Sequence, residues 1–355
     1  MNDMLKAFWI TLSIMSCIYP LTGEDLPRAR LLFGGDTLLG GYYHSERYGT
    51  MTDMLTPLDS LLNRCGAPCA ADYYFQNLNN IIRSSDLFMV NLEGPITGPI
   101  PPSPGDTLFL SKAIPLRQHE STAVILAAAG IDLVTLANNH MCDYDGWNGL
   151  KTTLDSLKSV LPAVGAGPGD QAYTGYHTEL NGIPFSFFGA TDVVDPWCSV
   201  PPEGYPGLAV IPDTINYDIN PHLNILLKNI AEAKLSDDVV VVYIHFGPFR
   251  GPNINRRQEE LADILIGAGV DIVIGSSSHT AQAIQEFRDE EGRIRQLVFF
   301  GLGNLVFGGR RSPQDPGMLA SVTCIQIDEG LILEYSPIMI SPNPHRSFIP
   351  QIISN

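Results

Sequence analysis

Five segments of this chain end an apolar run with a side chain able to ligate a metal or move a proton. They are Asp36 after Gly35, Asn91 with Glu93, Asn138-Asn139-His140, His245, and Ser276 to His279. Carboxylate, amide oxygen and imidazole together suit a hard or borderline divalent ion: Zn, Mn, Fe or Mg. Two such ions held roughly 3.5–4 Å apart would clamp an oxyanion and generate hydroxide at neutral pH. Each residue alone also has an ordinary structural use. Asp36 suits a turn or a helix cap, Glu93 an exposed loop, Asn138-Asn139 a turn, and His140 a hydrogen-bonded structural position. His245 stands out because a strand that opens with four valines ends on it. The recurrence favours convergence, since ligands of open α/β sheets sit beyond the carboxyl ends of the strands.

The elements that must carry these residues follow from periodicity and punctuation. Short apolar runs alternate with longer amphipathic stretches, which is the pattern of an α/β fold. Strands are expected over Arg30 to Asp36, Leu87 to Glu93, Ile131 to Ala137, Pro184 to Ala190, Val239 to His245, Asp271 to Gly275 and Gln296 to Phe300. An antiparallel pair is expected from Leu319 to Ile340, turning at Glu329-Gly330. Helices are expected over Pro57 to Asn63, where Thr56 can cap and Pro57 takes the first position, and over Tyr73 to Arg83. Further helices are expected over Gln118 to Ala129, Gly146 to Leu161, His222 to Lys234 and Gln258 to Ala268. Pro95 to Asp106 reads as a surface loop, and Asp192 to Pro221, rich in proline, as an irregular lid or insertion.

Charge narrows the partners. A formal net charge of −17 over 355 residues excludes general nucleic-acid binding, which needs Lys and Arg to neutralise phosphates. An anionic ligand would need a metal or a local basic patch. Arg250, Arg256, Arg257, Arg310 and Arg311 would form one, as guanidinium groups hold carboxylate or phosphate bidentately; solvated surface arginines are the plainer reading. At the N-terminus, Lys6 precedes an apolar stretch from Ala7 to Met15, the form of a secretory leader too short to span a membrane. Export is therefore expected, to the cell envelope, the periplasm or the exterior. Lipidation at Cys17, cleavage near Thr22-Gly23 and a retained anchor are the alternatives. Of six cysteines, Cys65 and Cys69 lie close enough to form a loop disulfide in an oxidising compartment, with free thiols the other reading.

The segments Gly35-Asp36, Asn91-Leu92-Glu93, Ala137-Asn138-Asn139-His140 with Asp143, His245-Phe246-Gly247, Gly275 to His279, and Leu302 to Gly308 occur in order, with Gly165-Ala166-Gly167 between them. In this they resemble the poly-γ-glutamate capsule synthesis proteins of the CapA/PgsA type. The resemblance runs from about Arg30 to Ile340 and implies one domain over 28–342, following the signal peptide or lipoprotein signal expected over 1–23. It further implies a calcineurin-like metallophosphoesterase fold, a β-sandwich flanked by helices. Carried over by position, Asp36, Glu93, Asn139, His245 and His279 would be metal ligands and His140 the catalytic histidine. Asn91, Asn138, Asn304, Arg250 and Arg310 would face the substrate. Three positions depart from the pattern. Ser277 stands where a histidine ligand is expected, Phe249 where a Glu is common, and Leu38 where the metallophosphoesterase pattern has a histidine. A serine hydroxyl replaces imidazole poorly on zinc. The resemblance thus implies an exported protein handling an anionic polymer within a membrane synthesis and export complex. A metal-dependent phosphoesterase or amide hydrolase, and a non-catalytic polymer binder on a degenerate site, are the other two readings.

Overall fold

The valine run ending on His245 becomes a strand buried along its whole length, and that burial sets the architecture around it. A computed structural model describes residues 26–43, 50–51, 55–97, 115–195, 198, 200–211, 221–248, 251–307, 315–342 and 348–353. In chain order the elements are β1 (Arg28–Leu38), β2 (Gly40–Tyr43), β3 (Thr50–Met51), α1 (Leu55–Cys65), α2 (Ala67–Phe75), α3 (Asn79–Arg83), β4 (Leu87–Leu92), β5 (Leu116–Gln118), α4 (Thr122–Ala128), β6 (Leu133–Thr135), α5 (Gly146–Leu157), β7 (Ala163–Val164), β8 (Ala166–Pro168), β9 (Tyr176–Leu180), β10 (Ile183–Thr191), β11 (Pro206–Leu208), α6 (Pro221–Leu235), β12 (Val239–His245), α7 (Arg256–Gly267), β13 (Ile272–Ser276), β14 (Ile284–Arg288), β15 (Ile294–Phe299), β16 (Asn304–Phe307), β17 (Gly317–Ile327), β18 (Gly330–Ser341) and β19 (Gln351–Ile352).

Two sheets carry the fold. The first runs β19-β18-β17-β1-β4-β6-β7, with β16 also paired to β1; the second runs β14-β15-β13-β12-β10-β9. Alternate residues of each strand point to opposite faces, so both faces of a central strand need apolar cover. Leu31 and Phe33 meet Val241, Tyr243, Ile272 and Phe299 between the sheets. Leu32, Phe88 and Val90 pack outward against Leu58, Tyr74 and Leu126 of α1, α2 and α4. Val240, Val242 and Ile244 pack outward against Leu226 of α6 and Leu261 and Leu265 of α7. The result is four layers, helix-sheet-sheet-helix, the flanked α/β sandwich that the resemblance implies. At the middle of the sandwich the fully buried Tyr243 donates to Gly34 O at 2.9 Å, tying the two sheets together just below the strand ends.

Local expectations gave way where tertiary pairing competed. The stretch Tyr73 to Arg83 breaks into α2 and α3 around a turn at 76–78. Gln118 belongs to a strand, because Gly40↔Gln118 pairing claims the backbone that helical periodicity would have used. β9 and β14 escaped the periodicity reading because they are edge strands, half exposed along their length. Among its described residues, the Asp192 to Pro221 stretch holds the short strand β11, which pairs with β8. Cys65 bonds Cys69, as their spacing allowed; Cys142 bonds Cys198, and Cys324 is a buried free thiol. No helix among the described residues is long and apolar enough to cross a membrane. The leader with Cys17, Phe249, Arg250, Arg310 and Arg311 lie outside the described residues.

Candidate metal centre

Parallel register puts the ligand-type residues at one level. β1 and β4 align Asp36 with Asn91, and β1 and β16 align Asp36 with Asn304. In the second sheet β10, β12 and β13 align Thr191, His245 and Ser276. The strands of both sheets thus end beside one another, and the loops leaving them supply Glu93, Asn138 to His140 and His279. Close backbone approach is required here: a Cβ on Gly35 would lie 1.8 Å from Gly303 O, the carbonyl that accepts from Asp36 N at 2.9 Å.

Asp36, Glu93 and His279 each offer a ligand atom within 4.8 Å of the others. Asp36 and Glu93 are fully buried. His279 Nδ1 lies 2.8 Å from Asn304 Oδ1 and 3.3 Å from Asp36 Oδ2, and Nε2 lies 3.9 Å from Glu93 Oε1. The N–H on Nδ1 is directed to Asn304, and Asp36 Oδ2 is left without a hydrogen bond. A buried carboxylate oxygen in that state is costly unless a cation meets it. Two carboxylates and an imidazole are also the donors that a divalent ion takes. The residues therefore fit a metal. Burial alone would push the Asp36 carboxyl up. The contact with His279, the charges of His245 and His279 and the Asn91 amide outweigh it and hold the group below its ordinary value. Burial would likewise lower the His279 imidazole, but Glu93 and Asp36, with help from Asn304, raise it to about 9.

The loop carrying His279 is held under strain. Ser277 has φ +95° and His279 φ +52°, values that L residues adopt at a cost of roughly 1–3 kcal/mol each. Ser277, at the position where an imidazole was expected, is buried.

Behind the cluster runs a chain of amides. Asn91 donates to Asp36 Oδ1 at 2.8 Å, and Asn138 donates to Asn91 Oδ1 at 3.0 Å and to Leu92 O at 2.9 Å. Asn138 Oδ1 accepts from the His140 backbone at 3.0 Å. Asn91 and Asn138, read from sequence as substrate contacts, are fully buried and brace the site from below. Asn304 is buried behind His279. Arg256 and Arg257 pair with Glu260 and Asp192 at 2.5 and 3.3 Å.

His140 faces Glu93, Nε2 to Oε1 at 3.5 Å, while its Nδ1 lies 2.5 Å from Asp143 Oδ2. A carboxylate accepts only, so Nδ1 carries the proton and Nε2 is turned to the crevice. Asp143 is itself fixed by the Leu116 N–H at 2.8 Å. The sequence reading noted Asp143 without giving it a role; its position three residues after His140 in a turn was the available signal. It gave no sign of Gln118, which donates to Thr37 O and Glu93 O at 2.9 Å each and so clamps the ends of β1 and β4.

Asn304 holds the nitrogen of His279 that faces away from Glu93, the arrangement by which outer partners orient metal-bound imidazoles. Replacing Asn304 by Ala is expected to weaken divalent-ion binding by about 10–100-fold with the fold kept, as read by isothermal titration calorimetry alongside circular dichroism.

Comparisons with known proteins give the chain its family. The chain is 26% identical over 310 residues to the capsule biosynthesis protein CapA of Bacillus anthracis, covering 86% of this chain and 65% of that one. It is 30% identical over 240 residues to the PGA biosynthesis protein CapA of Bacillus subtilis, covering 67% and 57%. A protein of Mycobacterium tuberculosis named "Probable polyglutamine synthesis accessory protein" is 25% identical over 283 residues, covering 73% and 67%. The chain thus spans under two thirds of the two Bacillus proteins. Residues 30–309 match the model of a family described as bacterial capsule synthesis protein PGA_cap, a span that contains every residue of the cluster. This chain belongs to the PGA_cap family of bacterial capsule synthesis proteins.

Proposed function

We propose that this protein acts in the synthesis or export of poly-γ-glutamate, and that its crevice is a metal-dependent hydrolytic site working on that anionic polymer. The observation that carries the reading is the juxtaposition of two units. One is the Asp36, Glu93 and His279 cluster; the other is the His140 and Asp143 pair, whose second imidazole nitrogen lies 3.5 Å from Glu93 Oε1. Asp36, Glu93 and His279 would hold the ion: Zn, Mn, Fe or Mg. When bound, that ion supplies Lewis acidity toward the carbonyl or phosphoryl oxygen and lowers the pKa of a coordinated water.

The chain's own residues account for the rest. Asp143 keeps the proton of His140 on Nδ1, so Nε2 is the atom that takes a proton from the attacking water or passes one to the leaving group. Glu93 beside it stabilises the imidazolium formed in between. The amide chain from Asn138 through Asn91 to Asp36 fixes the metal-side carboxylate. An anionic polymer reaches a chain of net charge −17 through the ion rather than through the general surface. Two disulfides support an oxidising compartment, and with the leader-like N-terminus support export, with the envelope as the place of work. The printed name of the mycobacterial relative supports an accessory role beside a synthesis complex.

The test uses purified protein reloaded with Mn²⁺ or Zn²⁺ and offered poly-γ-glutamate or a generic phosphodiester. Turnover is expected, and His140→Ala is expected to lower it by about 10²–10⁴-fold while leaving ion content unchanged. Equal turnover in that variant would remove His140 from the chemistry. A second reading, polymer binding without turnover, is favoured by Ser277 at the expected imidazole position; it predicts polyglutamate binding with no cleavage at any ion concentration.

A further inference from the structure

The protons around His245 can be assigned one after another, beginning from a group that only accepts. Asp36 Oδ1 is a carboxylate oxygen, so the Asn91 atom 2.8 Å from it is the donor Nδ2. Asn91 Oδ1, on the other side, accepts from Asn138 Nδ2, which agrees with that orientation. The same Nδ2 lies 3.4 Å from His245 Nδ1, and Ser276 Oγ meets that nitrogen at 2.9 Å. The other nitrogen, Nε2, lies 3.0 Å from Asn139 Oδ1, an acceptor, and so carries a proton. Both imidazole nitrogens of His245 are thus committed inside the protein, on a ring that is essentially inaccessible to solvent. Asn139 spends its oxygen, the only atom it could offer an ion, on the same ring.

A second ion beside the first would need these two residues. The two further positions that could supply an imidazole in the metallophosphoesterase pattern are Ser277 and Leu38. Around Asp36, Glu93 and His279, by contrast, three ligands converge, the number that open catalytic sites use.

We infer that the crevice takes a single divalent ion on Asp36, Glu93 and His279, and that the hydrogen-bonded pair His245 and Asn139 stands where a second ion would lie. His245 is then a positioning residue, acting on the ion through Asn91 and Asp36. This rests on the metal reading proposed above and deepens it.

The experiment strips the full chain with chelator, reloads it with Mn²⁺ or Zn²⁺ by equilibrium dialysis, and counts bound ion by elemental analysis. One equivalent is expected in the wild type. One equivalent is also expected in His245→Gln, bound at most about tenfold more weakly, and none in His279→Ala. Two equivalents in the wild type, or loss of the single ion in a folded His245→Gln, overturn the inference while leaving a metal site in place. No ion in the wild type overturns the metal reading and the inference together. If His245→Gln does not fold, the wild-type count still decides. Asn139→Ala, at a partly exposed position, then gives the second arm: one equivalent supports the inference and none overturns it.

Discussion

Asp36→Asn is expected to weaken divalent-ion binding by at least roughly 100-fold and to leave the fold intact. The substitution keeps the shape of the side chain and the oxygen that accepts from Asn91 at 2.8 Å, but removes the charge from the atom that has no hydrogen bond. A neutral amide is a poor ligand where a hard cation needs a carboxylate. The metal-free variant is expected to lie within about 1 kcal/mol of the metal-free wild type. Two buried carboxylates facing one imidazole are already more negative charge than that imidazole balances. The contrast appears on adding ion. At an ion concentration 100 times the wild-type Kd, the wild type gains about 2.7 kcal/mol of stability by mass action, and the variant at most about 0.4 kcal/mol. Thermal melts with and without Mn²⁺ or Zn²⁺ read the difference directly. An ion-dependent rise in melting temperature as large in Asp36→Asn as in the wild type would exclude Asp36 as a ligand.

That Asp36 deserved this role was legible in the sequence, because strand ends are. An apolar run that stops on a polar side chain says where a strand leaves the core, and β12 ends on the expected residue, His245. The same logic placed Glu93, His140 and His279 at one rim, and the alternation of apolar runs with amphipathic stretches gave the α/β class, while the sandwich came from the resemblance. What could not be read was register. Nothing local to Asn304 says that β16 would lie against β1 with Asn304 level with Asp36. Nothing local to Asn91 separates a substrate contact from a brace between two sheets. His245 shows the limit most clearly. Residue type and position made it the strongest ligand candidate, yet its three hydrogen-bond partners, Asn91, Asn139 and Ser276, come from three separate segments. Only their assembly assigns its protons. Long-range pairing decides such roles, and it is paid in loop closure rather than in any pattern visible along the chain.

Cys142 and Cys198 are the other long-range pair that sequence spacing concealed, and their removal is expected to cost about 4 kcal/mol. The bond closes a loop across a sequence separation of 56, and the loss of chain entropy on closing a loop of that length gives a figure of this size, within a usual range of roughly 2–5 kcal/mol. Both cysteines are buried among Leu208, Val210 and the helix-side core, so the bond joins the segment after β10 to the turn after β6. That turn carries the site. Cys142 sits between His140 and Asp143, and the Asp143 carboxylate is what keeps His140 Nε2 turned to the crevice. Buried Arg117 steadies the next residue, its guanidinium carbon 3.7 Å from the centre of the Tyr144 ring. The Cys142→Ser, Cys198→Ser double variant is therefore expected to show a lower urea midpoint. The Cys65–Cys69 bond closes a loop of only four in sequence separation, so the Cys65→Ser, Cys69→Ser variant is expected to lose less. Reductant is expected to lower the wild type to slightly below the midpoint of the untreated double variant, and to lower the double variant only by the smaller contribution of its remaining Cys65–Cys69 bond. A urea midpoint for the Cys142→Ser, Cys198→Ser variant equal to that of the oxidised wild type would show that the turn holding His140 and Asp143 stands without its covalent tie.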